Sequence, residues 1–200
     1  TLYYGDEIGM HDAEIPPEKV QDPFEKNVPG RGLGRDPQRT PMQWSAAKNA
    51  GFTEGEPWLP IAKDYAQINV ETERDDPFSI LSLYTQLIKV RRGEPALEVG
   101  ELEPIDTEGD LLTYVRREGE SAFLVALNFG SELQVMDLSD KATDGRITLS
   151  TGLDRAGTAC PVHWAVQPSQ LLPTDLSCSA SPTAVPSGPK SGGARAVTVS

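Results

Sequence analysis

The sequence predicts a long ordered loop, then one amphipathic helix that lays a face on a large body, then a small antiparallel β-domain. Three observations along the 200 residues carry this reading. Residues 1 to about 75 are crowded with turn signals yet hold aromatic residues throughout. Residues 76–92 repeat apolar side chains at helical spacing, and from 97 to about 152 the period shortens to that of strands.

The opening TLYYGDEIGM begins as a half-buried strand with no lead-in, the pattern expected of a piece of a longer protein. The turn signals follow in IPPEK, QDP, NVPGRGLGRDP, RTP and EGEPW. An irregular stretch of this length is uncommon inside a compact domain and is usually functional or disordered. Phe24, Trp44, Phe52, Trp58 and Tyr65 argue against disorder, so the segment reads as an ordered loop excursion on a scaffold.

In DDPFSILSLYTQLIKVRR, Asp76 can cap free N–H groups and Pro77 suits a first helical position. Ile80, Leu83, Leu87 and Val90 form the stripe; Lys89, Arg91 and Arg92 sit where the helix dipole favours cations, and Gly93 and Pro95 end the element. The runs LEVGELEPI, DLLTYVRRE, SAFLVALNF, ELQVMDLS and GRITLST then read as strands of a small antiparallel sheet or sandwich. Gly119 in EGE predicts a tight hairpin, and AFLVALNF, apolar on both faces, predicts a central strand. From residue 155 the chain is dominated by Ser, Pro, Ala, Gly and Thr without a sustained period. A disordered tail and a reading-frame change in the gene fit this equally. The domain boundaries expected are 1–94, 95–154 and 155–200.

A net charge of −12, from 18 basic and 30 acidic residues without a basic stripe, speaks against nucleic acid and acidic membranes as partners. The apolar run FLVAL at 123–127 is far too short to span a bilayer. Cys160 and Cys178 make neither a disulfide framework nor a zinc site, and the compartment stays open, with the cytoplasm as the expectation.

Among candidate chemical groups, Asp6 and Glu7 stand side by side. A glycosidic bond is cleaved between carboxylates about 5 Å apart for retention or roughly 6.5–9.5 Å for inversion. Neighbours on an extended chain point to opposite faces, so a turn whose carboxylates bond backbone N–H groups or nearby arginines is the favoured reading. GRGLGRDPQRTPMQW places three arginines and an aspartate around a Pro-Gln turn before Trp44. Such a guanidinium fork and flat indole can hold a sugar, and a surface loop with screened ion pairs fits equally well. HDAE (11–14) lacks a recognised metal-ligand spacing, His163 has no framework around it, and neither metal nor cofactor is expected.

The strings TLYYGDEIGM, RDPQRTPMQW with NAGF, and YAQINVETERDDPFSILSLYTQLIKVRR together resemble, in order and spacing, the last part of the α-glucosidases and oligo-1,6-glucosidases of glycoside hydrolase family 13, the α-amylase superfamily. The match covers roughly residues 1–154. The resemblance implies the end of a (β/α)8 barrel: TLYYG as the last strand, 6 to about 75 as a loop over its C-terminal face, and 76–92 as the last helix. Residues 97–154 are then the small antiparallel β-domain. It further implies that the catalytic carboxylates come from strands upstream of Thr1, so no catalytic residue lies in this chain and the chain alone is inactive. Arg39 is implied to hydrogen-bond the hydroxyls of the substrate's non-reducing glucose, in an oligosaccharide of maltose or isomaltose type. Asp6, Glu7, Arg35 and Asp36 are implied to support the loop near that site. A non-catalytic relative acting as a partner protein and a truncated product without function are the alternatives.

Overall fold

The computed structural model describes residues 1–137, 145–160, 163–166 and 194–198. The chain divides into two compact units, Thr1–Thr85 and Gln86–Ser200, with the division inside the helix Ile80–Gly93.

The first unit is almost all loop. Four short 3-10 turns, at Asp6–Ile8, Pro17–Lys19, Pro37–Arg39 and Lys48–Gly51, alternate with helices α1 (Pro23–Asn27) and α2 (Val70–Arg74). Helix α3 (Ile80–Gly93) begins in this unit. The core is small: Ile8, Met42 and Val70 pack together with Met10, Ile68 and Leu81 around them. Buried polar groups supply much of the remaining order. Asn69 caps α2 by accepting from Thr72 N at 2.9 Å, and its amide donates to Tyr65 O at 2.9 Å.

Two expectations for this unit need correction. TLYYG is not a strand: Tyr4 and Gly5 already turn, and among the described residues no strand pairs with the segment. A strand exists only through its ladder, which an apolar pattern alone cannot supply. The helix expected from Asp76 starts instead at Ile80. Asp76 Oδ1 accepts from Phe78 N at 2.8 Å and closes a turn, while Ser79 Oγ takes over the capping bond from Ser82 N at 3.1 Å. The C-terminal end falls at Gly93, where the sequence places it.

Among its described residues the second unit contains α4 (Pro95–Glu98) and the strands β1 (Glu101–Ile105), β2 (Leu111–Glu118), β3 (Ser121–Asn128), β4 (Gln134–Asp137), β5 (Gly145–Ile147), β6 (Ala159–Cys160), β7 (His163–Val166) and β8 (Ala194–Thr198). One sheet runs β1-β2-β3-β8-β5-β6, and β4 pairs with β7 in a second. The hairpin forms as expected, with Glu118 opposite Ser121 and Gly119 at φ 56°. Strand β3 is central, and Phe123, Leu124, Val125 and Ala126 are buried on both of its faces. Leu124 and Ala126 join Met136, Ile147 and Val166 in the core. Asn128, fully buried at the end of β3, donates to Val166 O at 3.0 Å and Glu132 O at 2.8 Å and accepts from Gly130 N at 2.9 Å.

Three further expectations change here. Leu97 and Glu98 are helical, because Pro95 both ends one helix and opens the next at its first position. The sheet is mixed: β1, β2 and β3 are antiparallel, but β8 runs parallel to both β3 and β5. The segment 155–200, expected to be a low-complexity tail, supplies β6, β7 and β8. Ladders are made by backbone groups, so a run such as ARAVT can join a sheet whatever surrounds it in sequence. Residues 167–193 of that segment, with Cys178, lie outside the described residues.

Candidate functional site

The site is built on RTPMQW. Pro37 opens a single 3-10 turn that ends at Arg39, whose N–H is bound by Asp36 O at 2.9 Å. The following Thr40, Pro41, Met42 and Gln43 are buried. Gln43 O and Trp44 O accept from Val70 N and Glu71 N, both at 3.0 Å, and the Gln43 amide donates to Ile68 O. On the other side, Trp44 N and Ser45 N both reach Ala50 O, at 2.9 and 3.1 Å. That contact requires the chain to double back through three left-handed residues, Asn49, Ala50 and Gly51. For alanine this conformation costs on the order of 1–2 kcal/mol. Asn49 holds the turn by donating to Thr53 O at 3.0 Å and Gly55 O at 2.7 Å.

The anchored strip forms one wall of a groove of about 620 Å³. Arg39 and Glu7 supply its charged groups, and the rings of Tyr3, Tyr4, Trp44, Phe52 and Trp58 line it. Trp44 is 50% exposed, so half of a large flat apolar surface faces solvent. Tyr3 and Tyr4 lie with ring centroids 5.0 Å apart, and the Tyr4 hydroxyl donates to Thr40 O at 3.0 Å. Burial raises the Tyr4 pKa, Tyr3 adds to the rise, and the Arg39 guanidinium opposes it. Arg39 therefore sits close enough to Tyr4 for its charge to be felt at the phenol. Such a groove offers ring faces to an apolar surface and a fork of N–H donors to hydroxyls or a carboxylate.

Asp6 and Glu7 do not face one another across the groove. Asp6 Oδ2 accepts from Tyr3 N at 2.9 Å and Glu7 Oε2 from Gly5 N at 2.8 Å, so each carboxylate closes its own turn. Both also act on Tyr84, whose pKa is raised first by burial and then by Asp6 and Glu7. Arg35 and Asp36 lie at the base of the loop: Asp36 Oδ2 accepts from Gln21 N at 2.6 Å and Asp22 N at 2.8 Å. The HDAE carboxylates go separate ways, with His11 beside Asp64, Asp12 beside Gln38 and Glu14 beside Lys63. Among the described residues no cluster of three or more His, Cys, Asp or Glu is placed to hold a metal ion, and no helix is long and apolar enough to cross a membrane.

The residue that the sequence reading missed is Asp22. Its side chain is 1% exposed; Oδ1 caps α1 through Phe24 N at 2.8 Å, and Oδ2 accepts from Arg35 N at 3.3 Å and Arg35 Nε at 3.4 Å. Arg39 Nη1 stands 3.8 Å from the same oxygen. The Phe24 N–H bond, against the opposing effect of burial and helped by Arg35, holds the Asp22 carboxyl below the usual range. Asp22 before Pro23 is a readable capping signal, but nothing local announces the two arginines.

The family model for the alpha amylase catalytic domain matches residues 1–100. The chain belongs to the alpha-amylase family. Among curated relatives, glucan 1,6-alpha-glucosidase of Streptococcus pneumoniae is 35% identical over 157 residues, covering 70% of this chain and 29% of that protein. An amino acid transporter heavy chain of Rattus norvegicus is 34% identical over 168 residues, covering 80% of this chain and 23% of its own length. A crystal structure of a MutB mutant in complex with the substrate sucrose superposes with a TM-score of 0.73 at 30% identity, over 84% of this chain and 34% of that one. The chain thus spans about a quarter to a third of the length of these relatives.

Proposed function

We propose that the chain is the C-terminal part of a retaining α-glucosidase that hydrolyses short α-linked gluco-oligosaccharides of maltose or isomaltose type. In this reading residues 1–94 end a (β/α)8 barrel, 95–154 belong to the small β-domain, and the catalytic carboxylates lie upstream of Thr1. The chain alone is then inactive. The observation that carries the reading is the placement of Arg39 among five aromatic rings in one groove, the donor-and-platform chemistry a hexose needs. Asp6, Glu7, Arg35 and Asp36 act as supports, consistent with carboxylates engaged by backbone N–H groups.

The test uses the complete protein that carries this chain, assayed on maltose and isomaltose. Loss of a charged hydrogen bond of about 1.5–3 kcal/mol predicts that Arg39→Ala lowers kcat/KM by roughly 10- to 150-fold with the fold intact. The α-anomer should be released first. An unchanged kcat/KM removes Arg39 from the site, and first release of the β-anomer rules out retention. The similarity to a transporter heavy chain favours a second reading, a non-catalytic partner protein. Absence of glucoside turnover in the complete protein, with Arg39 intact, would favour it.

A further inference from the structure

We propose that Asp22 is the positioning residue for Arg39, holding the guanidinium at the groove through its charge. The proposal rests on the reading of Arg39 as a substrate contact. Segments 21–24 and 35–39 are clasped twice, in opposite directions. The Asp36 carboxylate binds the N–H groups of Gln21 and Asp22, and the Asp22 carboxylate binds the N–H and Nε of Arg35. Both carboxylates are buried. Arg39 leaves this clasp with Nη1 3.8 Å from Asp22 Oδ2 on one side and with Tyr4 and the groove on the other, its side chain 38% exposed.

A long side chain with one end in solvent loses rotamer freedom when a ligand fixes it, which weakens binding. A buried carboxylate behind the guanidinium fixes it beforehand. The ion pair is longer than a hydrogen bond and the arginine only half-covered, so the expected contribution is to orientation and not to fold. Arg35, which takes both hydrogen bonds to Oδ2, is the structural partner of Asp22; Arg39 is the functional one.

Asp22→Asn keeps the cap, because an amide oxygen can still accept from Phe24 N, and removes the charged acceptor that Arg35 and Arg39 share. Arg35→Ala, which removes only the structural side-chain partner, is the control and should leave the Arg39 signal and KM as they are. Asp22→Ser, which also keeps a capping oxygen, is the second variant should the first fail to fold. The first readout needs no activity: with arginine labelled by 15N, the Arg39 Nε–Hε signal of the chain should shift and exchange faster with water in either Asp22 variant. An unmoved Arg39 signal overturns the proposal. The second readout is kinetic, in the complete protein: Asp22→Asn should raise KM about 3- to 10-fold with kcat within twofold, the equivalent of about 0.7–1.4 kcal/mol. In an Arg39→Ala background the same change should cost nothing further. A loss that multiplies with that of Arg39→Ala overturns the proposal, since it assigns Asp22 a purely structural effect. If Arg39→Ala alone leaves kcat/KM unchanged, it is the substrate-contact reading that fails, and the labelled-arginine measurement decides the positioning role by itself.

Discussion

Replacing Asp36 by alanine removes an acceptor that two backbone N–H groups share inside the first unit. Its Oδ2 lies 2.6 Å from Gln21 N and 2.8 Å from Asp22 N, and the residue is 3% exposed, so water cannot replace the lost partner. Hydrogen bonds to a charged group contribute about 1.5–3 kcal/mol each, so the pair is worth roughly 3–6 kcal/mol. A unit the size of Thr1–Thr85 has a total stability of only about 4–13 kcal/mol at ordinary per-residue values. Asp36→Ala should therefore leave the unit close to unfolding. Asp36→Asn, whose amide oxygen has two lone pairs for the same two donors, should cost about 2 kcal/mol, the difference between charged and neutral acceptors taken over the two bonds. Urea titration followed by tryptophan emission reads this unit once Trp164 of the second unit is replaced by phenylalanine, leaving Trp44 and Trp58 as the emitters. An alanine variant within about 0.5 kcal/mol of the original midpoint would show that the two N–H groups find other partners and that the clasp is dispensable.

Three more outcomes are expected. In the second unit, Asn128→Asp should destabilise more than Asn128→Ala, because the new carboxylate would face Val166 O and Glu132 O where the amide donated; urea midpoints in the reverse order refute it. Gly100→Ala should be strongly destabilising, since a Cβ there would stand 2.4 Å from Ala96 O and 2.6 Å from Arg117 O, whereas Gly119→Ala meets only the cost of a positive φ; equal thermal shifts for the two would contradict this. For pH, the folded pKa of Asp22 lies below its unfolded value, so its contribution is complete above about pH 3.9 and is lost as pH falls toward the folded value. Glu73 has the opposite sign: burial raises its folded pKa, so stability increases as pH falls through that raised value toward about 4.3. Asp22→Asn should flatten the low-pH limb of the first unit's stability curve and Glu73→Gln the limb above it; parallel curves would contradict both assignments.

What could be read from the sequence was what is local. The end of α3 at Gly93, the hairpin at Gly119 and the two-faced burial of β3 each depend on a few adjacent residues, and each appears where the pattern places it. The cap of α3 was misplaced by three residues because Asp76 and Ser79 are both good caps and only one of them serves the helix. The mixed sheet could not be read, since β8 joins β3 across about seventy residues by backbone pairing alone. In the site, Arg39 and Trp44 were legible as chemistry, but Phe52 and Trp58 come to the groove only because Asn49, Ala50 and Gly51 reverse the chain. Asp22 was illegible as a hub for the same reason: its arginine partners lie 13 and 17 positions away, beyond any periodicity.

The double clasp also says where this chain can tolerate change in length. Segments 21–24 and 35–36 are fastened to each other, so the excursion from Glu25 to Gly34 is closed at its neck, and a Cβ added at Gly30 or Gly32 would meet nothing within 4 Å. Doubling the length of a closed flexible loop costs only about 0.6 kcal/mol, well below the bonds that hold the neck. Insertions at the tip would leave the Asp36–Arg39 turn where it is. The fastening thus separates the part of the loop free to vary in length from the neck out of which Arg39 emerges.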